Sequence, residues 1–219
     1  MINYFTQCSI CRQSGPVLCL NCQRHLNVYE ETSDLDGCSG LQWLVIGRHY
    51  DRIVRHLVHR LKYGRGKTIA KTLWDKLATL IHTTELIQQV QTHPWQAVVT
   101  AVPTHRFKRY FTRGYNQAEL LAKSIAQSLD LPYSPLLTKS RRTTSQVKIQ
   151  NRTDRLKNVL NSFTSQSQSS IAPSLQISPL IILVDDIITT GATISECARI
   201  LHEHHPHSQI WWVCIARNR

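Results

Sequence analysis

Two groups of residues in this sequence have the types and the spacing for chemistry. The first is Ile181-Ile182-Leu183-Val184-Asp185-Asp186-Ile187-Ile188-Thr189-Thr190-Gly191-Ala192-Thr193, an apolar run that ends in two carboxylates, crosses two apolar residues and enters a Thr/Gly turn. A strand of this kind delivers its end to the carboxyl edge of an α/β sheet, where open sheets bind ligands. Hydroxyls and backbone N–H groups in the turn, with a helix starting behind them, make a cradle for a phosphate dianion. Gly191 lets the backbone come close to such a ligand. Adjacent carboxylates in a basic chain accept hydrogen bonds from sugar hydroxyls or help to hold a Mg²⁺ ion. A plain helix N-terminus accounts for one capping threonine, Thr189 or Thr190, but not for the whole arrangement.

The second group is Cys8-x-x-Cys11 and Cys19-x-x-Cys22. Each pair can present two sulfurs to one ion, and four soft ligands close a tetrahedral Zn²⁺ shell with no open position for water, so the zinc is expected to be structural. Such an ion organises a segment too small to build its own core. A redox pair would not need the second pair, and His25 is unnecessary beside four cysteines. Cys38, Cys197 and Cys214 read as packing residues. Seven cysteines is an odd number, which with the paired spacing fits metal binding in a reducing compartment better than a secreted disulfide framework.

The elements that must position these groups alternate between strand-like and helix-like patterns after Leu41, as in α/β domains. Residues 31–40 are acidic, small and Gly-punctuated and read as a linker between a Cys₄ zinc module at 1–35 and a larger domain at 41–219. Ile53, Leu57, Val58 and Leu61 mark one helix face, and Ile69, Leu73, Leu77, Leu80 and Ile81 a second. Residues 97–102 form an apolar run stopped by Pro103, suited to a strand buried on both faces. A helix follows through Ala118, Leu121, Ala122, Ile125 and Leu129. Residues 139–158 are polar and basic, and 164–179 are Ser/Gln/Pro-rich and read as a surface loop. Leu180–Val184 is a strand, Ile194, Cys197, Ala198 and Leu201 a third helix face, and Ile210–Ala216 a closing strand. Trp211 and Trp212 then point to opposite sides, at least one of them in the core, and an exposed one would be available to stack on a base. His202, His204, His205 and His207 read as solvated histidines at a helix end that Pro206 terminates.

The 219 residues carry a formal charge of +12 and a pI near 9.7. That excess points to polyanionic partners, nucleic acid and phosphorylated metabolites ahead of a membrane surface, or else to a protein that is merely basic. No apolar run approaches the length of a membrane helix, roughly 18 residues, and the first residues lack the basic-then-apolar pattern of a secretory signal, so the cytoplasm is the expected location.

The segment from Ile181 to Thr193 resembles the phosphoribosyl pyrophosphate signature of the type I phosphoribosyltransferases. Further stretches resemble one branch, the ComF family of competence-associated proteins: the N-terminal cysteines, His59-Arg60-Leu61-Lys62-Tyr63-Gly64, Val102-Pro103-Thr104-His105, Arg113-Gly114-Tyr115-Asn116-Gln117-Ala118, Thr143-Thr144-Ser145-Gln146, Arg152 and Asn158. Tyr115 stands where phenylalanine is more usual. The resemblance implies an α/β fold of the type I phosphoribosyltransferase kind, with a mostly parallel sheet flanked by helices. It places Asp185 and Asp186 against ribose hydroxyls and wraps Thr189, Thr190, Gly191, Ala192 and Thr193 around the 5′-phosphate, with Mg²⁺ accompanying phosphoribosyl pyrophosphate. Thr104, His105, Arg106 and Arg113 correspond to the pyrophosphate-contacting loop, or are a solvated basic loop. The basic stretch with Arg141 and Arg142 corresponds to a mobile flap, and its composition equally suits a nucleic-acid backbone or a plain loop. No catalytic residue is assigned. The implied function is DNA uptake or utilisation in natural transformation, with a phosphoribosyl pyrophosphate pocket, a basic surface for single-stranded DNA and partners among DNA-uptake proteins. The rivals are an active transferase acting on a small nucleophile and a regulator that senses phosphoribosyl pyrophosphate.

Overall fold

The computed structural model describes residues 7–8, 10–16, 18–24, 29–32, 42–45, 55, 71, 74–75, 78, 90, 97–104, 115–140, 158–166, 180–188 and 190–217. A five-stranded sheet organises them, built from β1 (Tyr29–Thr32), β2 (Gln42–Val45), β3 (Ala97–Ala101), β6 (Leu180–Val184) and β8 (Gln209–Cys214) in the order β1-β2-β8-β6-β3. β1 pairs antiparallel with β2, and every other neighbour is parallel, with Ala101 opposite Val184 and Val184 opposite Val213. Tyr133 adds a parallel bridge to Val99 beyond β3. The expected mostly parallel α/β architecture is present.

Helices cover both faces, which is why the central strands read as unbroken apolar runs rather than alternating ones. Alternation along each strand sorts the core into two clusters. Val99, Ala101, Ile182, Val184, Trp211 and Val213 pack against α2 (Gln117–Ser128) through Leu121, Ala122 and Ile125. Val98, Ile181, Leu183, Ile210, Trp212 and Cys214 pack against α3 (Ala192–His204) through Ile194, Cys197, Ala198 and Leu201. The two tryptophans thus do face opposite sides, and both are buried. Neither is left as an exposed stacking platform, because helices occupy both faces. Arg55, Lys71, Trp74, Asp75 and Ala78 are helical, in agreement with the two helices expected there, and Trp74 and Ala78 are buried in the α2 cluster.

Three further differences from the sequence pattern have simple causes. Glu31 and Thr32, expected in a linker, belong to the edge strand β1. Thr164 and Ser165, expected in a loop, pair in β5 (Phe163–Ser165) with β4 (Leu137–Lys139) as an antiparallel ribbon. His205, expected in solvent, is buried at the C-terminal cap of α3, where its N–H donates to Leu201 O and the chain turns back under Pro206. His202, His204 and His207 are exposed, as expected. The closing strand is interrupted after Cys214, and β9 (Ala216–Arg217) pairs in parallel with β7 (Ile187–Ile188).

Cys8, Leu18 and Cys22 belong to the same buried cluster as Trp74, β3 and α2. The cysteine segment and the sheet therefore share one apolar core face. Among the described residues no helix is long and apolar enough to cross a membrane.

Candidate functional site

The carboxyl edge of the sheet brings the signature together. Val102 N–H donates to Val184 O at 2.9 Å, Asp185 N–H to Val213 O at 2.9 Å and Ile215 N–H to Asp186 O at 3.0 Å, so the backbone of the two aspartates is fixed between β3 and β8. β7, the apolar pair after them, is held by β9. Both carboxylates are half-buried, and each accepts from the next backbone N–H: Asp186 N–H to Asp185 Oδ1 and Ile187 N–H to Asp186 Oδ1, both at 2.8 Å. A carboxylate has two oxygens and accepts several hydrogen bonds, so these local bonds orient the pair without using up its capacity.

Gly191 then starts α3 with φ 80°, a left-handed conformation that glycine adopts without the cost a Cβ imposes. The N-cap of α3 is Gly191, which has no side chain with which to cap the first turn. Thr190 Oγ1 is buried and has no hydrogen-bond partner among the described residues. A buried hydroxyl in that condition asks for a partner, and it lies one residue before the helix start. Ala192 is buried and Thr193 half-buried in the first turn. Thr189 lies outside the described residues.

On the neighbouring strand, Thr104 follows β3 at the same edge, and its Oγ1 is also buried without a partner among the described residues. Asn116, at the N-terminal cap of α2, donates from Nδ2 to Val102 O at 3.0 Å and so ties the helix start to the end of β3. His105, Arg106, Arg113, Arg141 and Arg142 lie outside the described residues. Only the ends of the basic stretch, Lys139, Ser140 and Asn158, lie within them.

The four cysteines do converge: the Sγ atoms of Cys8, Cys11, Cys19 and Cys22 all lie within 4.8 Å of one another. A tetrahedral Zn²⁺ with Zn–S bonds of about 2.3 Å needs sulfurs roughly 3.8 Å apart, and Cys11 Sγ is 3.7 Å from Cys19 Sγ. Cys8 N–H donates to Gln13 O at 2.8 Å and Arg12 N–H to Cys8 O at 3.0 Å, which folds the first pair into a knuckle with Arg12 at φ 63°. The second pair runs into α1 (Leu20–Arg24), with Cys19 N–H donating to Cys8 Sγ and Cys22 N–H to Cys19 Sγ, each at 3.5 Å. Burial works to raise the Cys8 thiol, but hydrogen bonds from the backbone of Cys19, Cys11 and Ile10 outweigh it and lower the pKa to about 6. Cys22 is raised, first by burial and then by sharing hydrogen bonds with the other sulfurs. Four close thiols with one poised to ionise are a donor set that can hold a soft cation.

Glu196, which sequence reasoning missed, is the anchor behind this edge. It is 5% exposed. It accepts from Asn161 N–H at 2.7 Å and from Arg199 Nε and Nη2 at 3.0 and 2.9 Å. The Glu196/Arg199/Glu203 spacing on one helix was the available signal, but nothing local announces the turn that it grips. Cys197 beside it is pushed well up by burial and then by the charge of Asp185.

No protein-family model matches the sequence. Competence protein F of Haemophilus influenzae is 26% identical over 239 residues, spanning 99% of this chain and 100% of the relative. The DNA utilization protein YhgH of Salmonella typhi is 30% identical over 177 residues, spanning 79% of this chain and 72% of the relative. The chain belongs to the ComF family. A third ComF relative, competence protein ComFC of Streptococcus pneumoniae, is 36% identical over 95 residues, covering 43% of this chain and 37% of the relative.

Two solved structures overlap the ComF chain at low scores. One is a phosphoribosylpyrophosphate synthetase from Mycobacterium smegmatis, with TM-score 0.33 and 16% identity over 73% of this chain and 48% of the other. The second is an adenine phosphoribosyltransferase from Leishmania donovani, with TM-score 0.32 and 12% identity over 84% and 86%. The α/β class of the ComF chain is carried by its own strand order and register.

Proposed function

We infer that this chain acts in DNA uptake or utilisation, with a pocket for phosphoribosyl pyrophosphate or a related 5′-phosphorylated ribose at the Asp185–Thr193 edge and a basic surface that holds single-stranded DNA. The observation that carries the pocket is the pairing, on one strand end, of two oriented carboxylates with a helix that starts at a left-handed glycine. Asp185 and Asp186 face the ribose hydroxyls and assist the Mg²⁺ that accompanies a diphosphate. The first-turn N–H groups and the Thr190 hydroxyl take the 5′-phosphate. Thr104, with His105, Arg106 and Arg113, is the diphosphate side, and Arg141 and Arg142 belong to the cover. The relatives' names and the charge of +12 support the DNA reading.

Zn²⁺ at Cys8, Cys11, Cys19 and Cys22 is structural in this reading, since four thiolates leave it no open position. The paired-cysteine usage also favours a reducing cytoplasm.

A thermal-shift titration with phosphoribosyl pyrophosphate and Mg²⁺ tests the pocket. Ligand that binds only the native state raises its stability by mass action. The midpoint should rise with ligand in the native chain and stay flat in the Asp185→Asn/Asp186→Asn variant, whose own midpoint is little changed. Equal rises in both refute the site. For the surface, affinity for a single-stranded oligonucleotide should fall steeply with salt. Negligible binding at low ionic strength refutes that part.

A further inference from the structure

The four clustered sulfurs differ in their surroundings. Cys8 has no exposure and Cys22 is 5% exposed, and both pack with Leu18, Trp74, β3 and α2 in one apolar core face. Cys11 is exposed, and Cys19 is half-buried at the margin of that face. The cluster therefore has an inner edge, Cys8 and Cys22, set into the main core, and an outer edge, Cys11 and Cys19, that meets solvent. The two outer sulfurs stand 3.7 Å apart. Beyond Cys11 the chain stays at the surface, with Arg12, Gln13 and Ser14 all exposed.

Thiols that share one divalent ion are all held as thiolates. Ionisation then does not select among them, and access does, because an oxidant reaches the sulfur that solvent reaches. Among the described residues Cys11 is the one exposed cysteine, while Cys197 and Cys214 are buried in the core on the opposite face of the sheet. A sulfur oxidised at Cys11 has the Cys19 sulfur beside it, at a separation that a disulfide bond shortens to about 2 Å. Closing that gap moves the exposed turn after Cys11 and leaves the core alone. Pairing with Cys8 or Cys22 instead draws a sulfur out of apolar packing, and Cys8 Sγ also accepts from Cys19 N–H at 3.5 Å.

We propose that Cys11 and Cys19 form a thiol-oxidation site for hydroperoxides, at which disulfide closure opens the metal shell and leaves Cys8 and Cys22 in the core. The Cys11 thiolate attacks the terminal oxygen of the hydroperoxide. The O–O bond breaks, the sulfur becomes a sulfenic acid, and the departing alkoxide takes a proton from water. The Cys19 thiolate then attacks the Cys11 sulfur; the S–S bond forms, the S–O bond breaks, and hydroxide leaves to be protonated. Two thiolates, one hydroperoxide and two protons thus give one disulfide, one alcohol and one water. Two electrons pass from the sulfurs to the peroxide oxygens. An ion left with only the inner pair has lost the donors that closed its shell. Thiol–disulfide exchange reverses the step, and the inner sulfurs stay in place to take an ion again. This oxidation site rests on the reading of the four cysteines as a zinc shell.

The test uses the full chain with Cys38→Ser, a position outside the described residues, so that the disulfide map is unambiguous. Metal analysis before treatment checks the zinc reading by itself; a chain without zinc ends that reading and the oxidation site together. The zinc-loaded chain is then treated with hydrogen peroxide, zinc release is followed with a colorimetric chelator, and disulfides are mapped by mass spectrometry after alkylation. One zinc should leave per disulfide formed, and the crosslink should join Cys11 to Cys19. The unfolding midpoint should fall to that of chain stripped by a chelator, and dithiothreitol with added zinc should restore it. Cys11→His keeps a ligand of the kind structural zinc sites use and removes the oxidisable sulfur, so peroxide-driven release should slow by at least about tenfold. Zinc retained under excess peroxide, a main crosslink through Cys8 or Cys22, or a sulfinate at Cys11 in place of the disulfide overturns the oxidation site and leaves the zinc reading standing. Release from zinc-loaded Cys11→His as fast as from the native cysteine also overturns it. If that variant holds no zinc, the crosslink map of the unmutated cluster decides.

Discussion

Replacing Glu196 tests whether the edge that carries the signature is held from behind. The side chain is 5% exposed and accepts three hydrogen bonds, two of them from the Arg199 guanidinium and one from Asn161 N–H. Hydrogen bonds to a charged partner contribute roughly 1.5–3 kcal/mol and neutral ones about 1 kcal/mol. Two considerations reduce the sum. The Arg199 side chain is 41% exposed and recovers water when its partner is removed, and Asn161 is exposed, so its N–H finds water as well. Glu196→Ala should therefore cost about 2–3 kcal/mol. Glu196→Gln, which keeps one acceptor oxygen but sets an amide donor against the guanidinium, should cost about 1–2 kcal/mol. At about 2–4 °C per kcal/mol for a chain of this size, the midpoint falls by several degrees.

The same residue gives a pH signature. Burial works to raise the Glu196 carboxyl, but the Arg199 hydrogen bonds, the Asn161 N–H bond and the Arg199 charge more than reverse it, so the folded pKa lies below the ordinary value of 4.5. A depressed carboxyl contributes stability that is fully present above the unfolded pKa and is lost as pH falls through the folded one. Urea unfolding of native chain and Glu196→Gln should show the full gap at pH 7 and a closing gap below about pH 4. A gap under about 0.5 kcal/mol at pH 7, the spread of inconsequential surface changes, or one that stays constant into acid, refutes the anchor.

Other perturbations follow from the same packing. Cys8→Ser should abolish stoichiometric zinc by metal analysis and lower the unfolding midpoint of the whole chain, because Cys8 packs in the α2 cluster. Leu121→Ala, at a site with no exposure, should cost about 2–5 kcal/mol in denaturant unfolding. Thr190→Val keeps the shape of the side chain and removes an unpartnered hydroxyl; it should leave unfolding unchanged or slightly favoured while lowering affinity for phosphoribosyl pyrophosphate in a thermal-shift titration.

How much of this was legible follows from element length and from what each element buries. β6 was readable to the residue, because Leu180–Val184 is apolar throughout and the aspartates mark its end. α3 was equally plain, since Ile194, Cys197, Ala198 and Leu201 repeat at helical spacing and all have no exposure. β1 reads Tyr-Glu-Glu-Thr and pairs on one side only. An edge strand that polar carries no apolar period, so it passed for linker. β4 and β5 have three residues each, too few for a period of two to stand out.

The two core clusters give the cysteine site a consequence beyond its own segment. Cys8 and Cys22 are packed with Trp74, β3 and α2 on one face of the sheet, while the helix that begins at Gly191 is packed on the other. Small metal-bound segments normally fold alone around their ion because they have no core to share; here the sulfurs contribute to the main core. An ion at these sulfurs therefore bears on the α2 face first, and through Asn116, which ties the start of α2 to Val102 O, on the end of β3. The α3 face lacks that dependence, since its cluster contains none of the four sulfurs. Loss of the ion should loosen the Thr104 side of the carboxyl edge before the aspartate side. The two walls of one ligand edge thus depend on different parts of the chain for their rigidity.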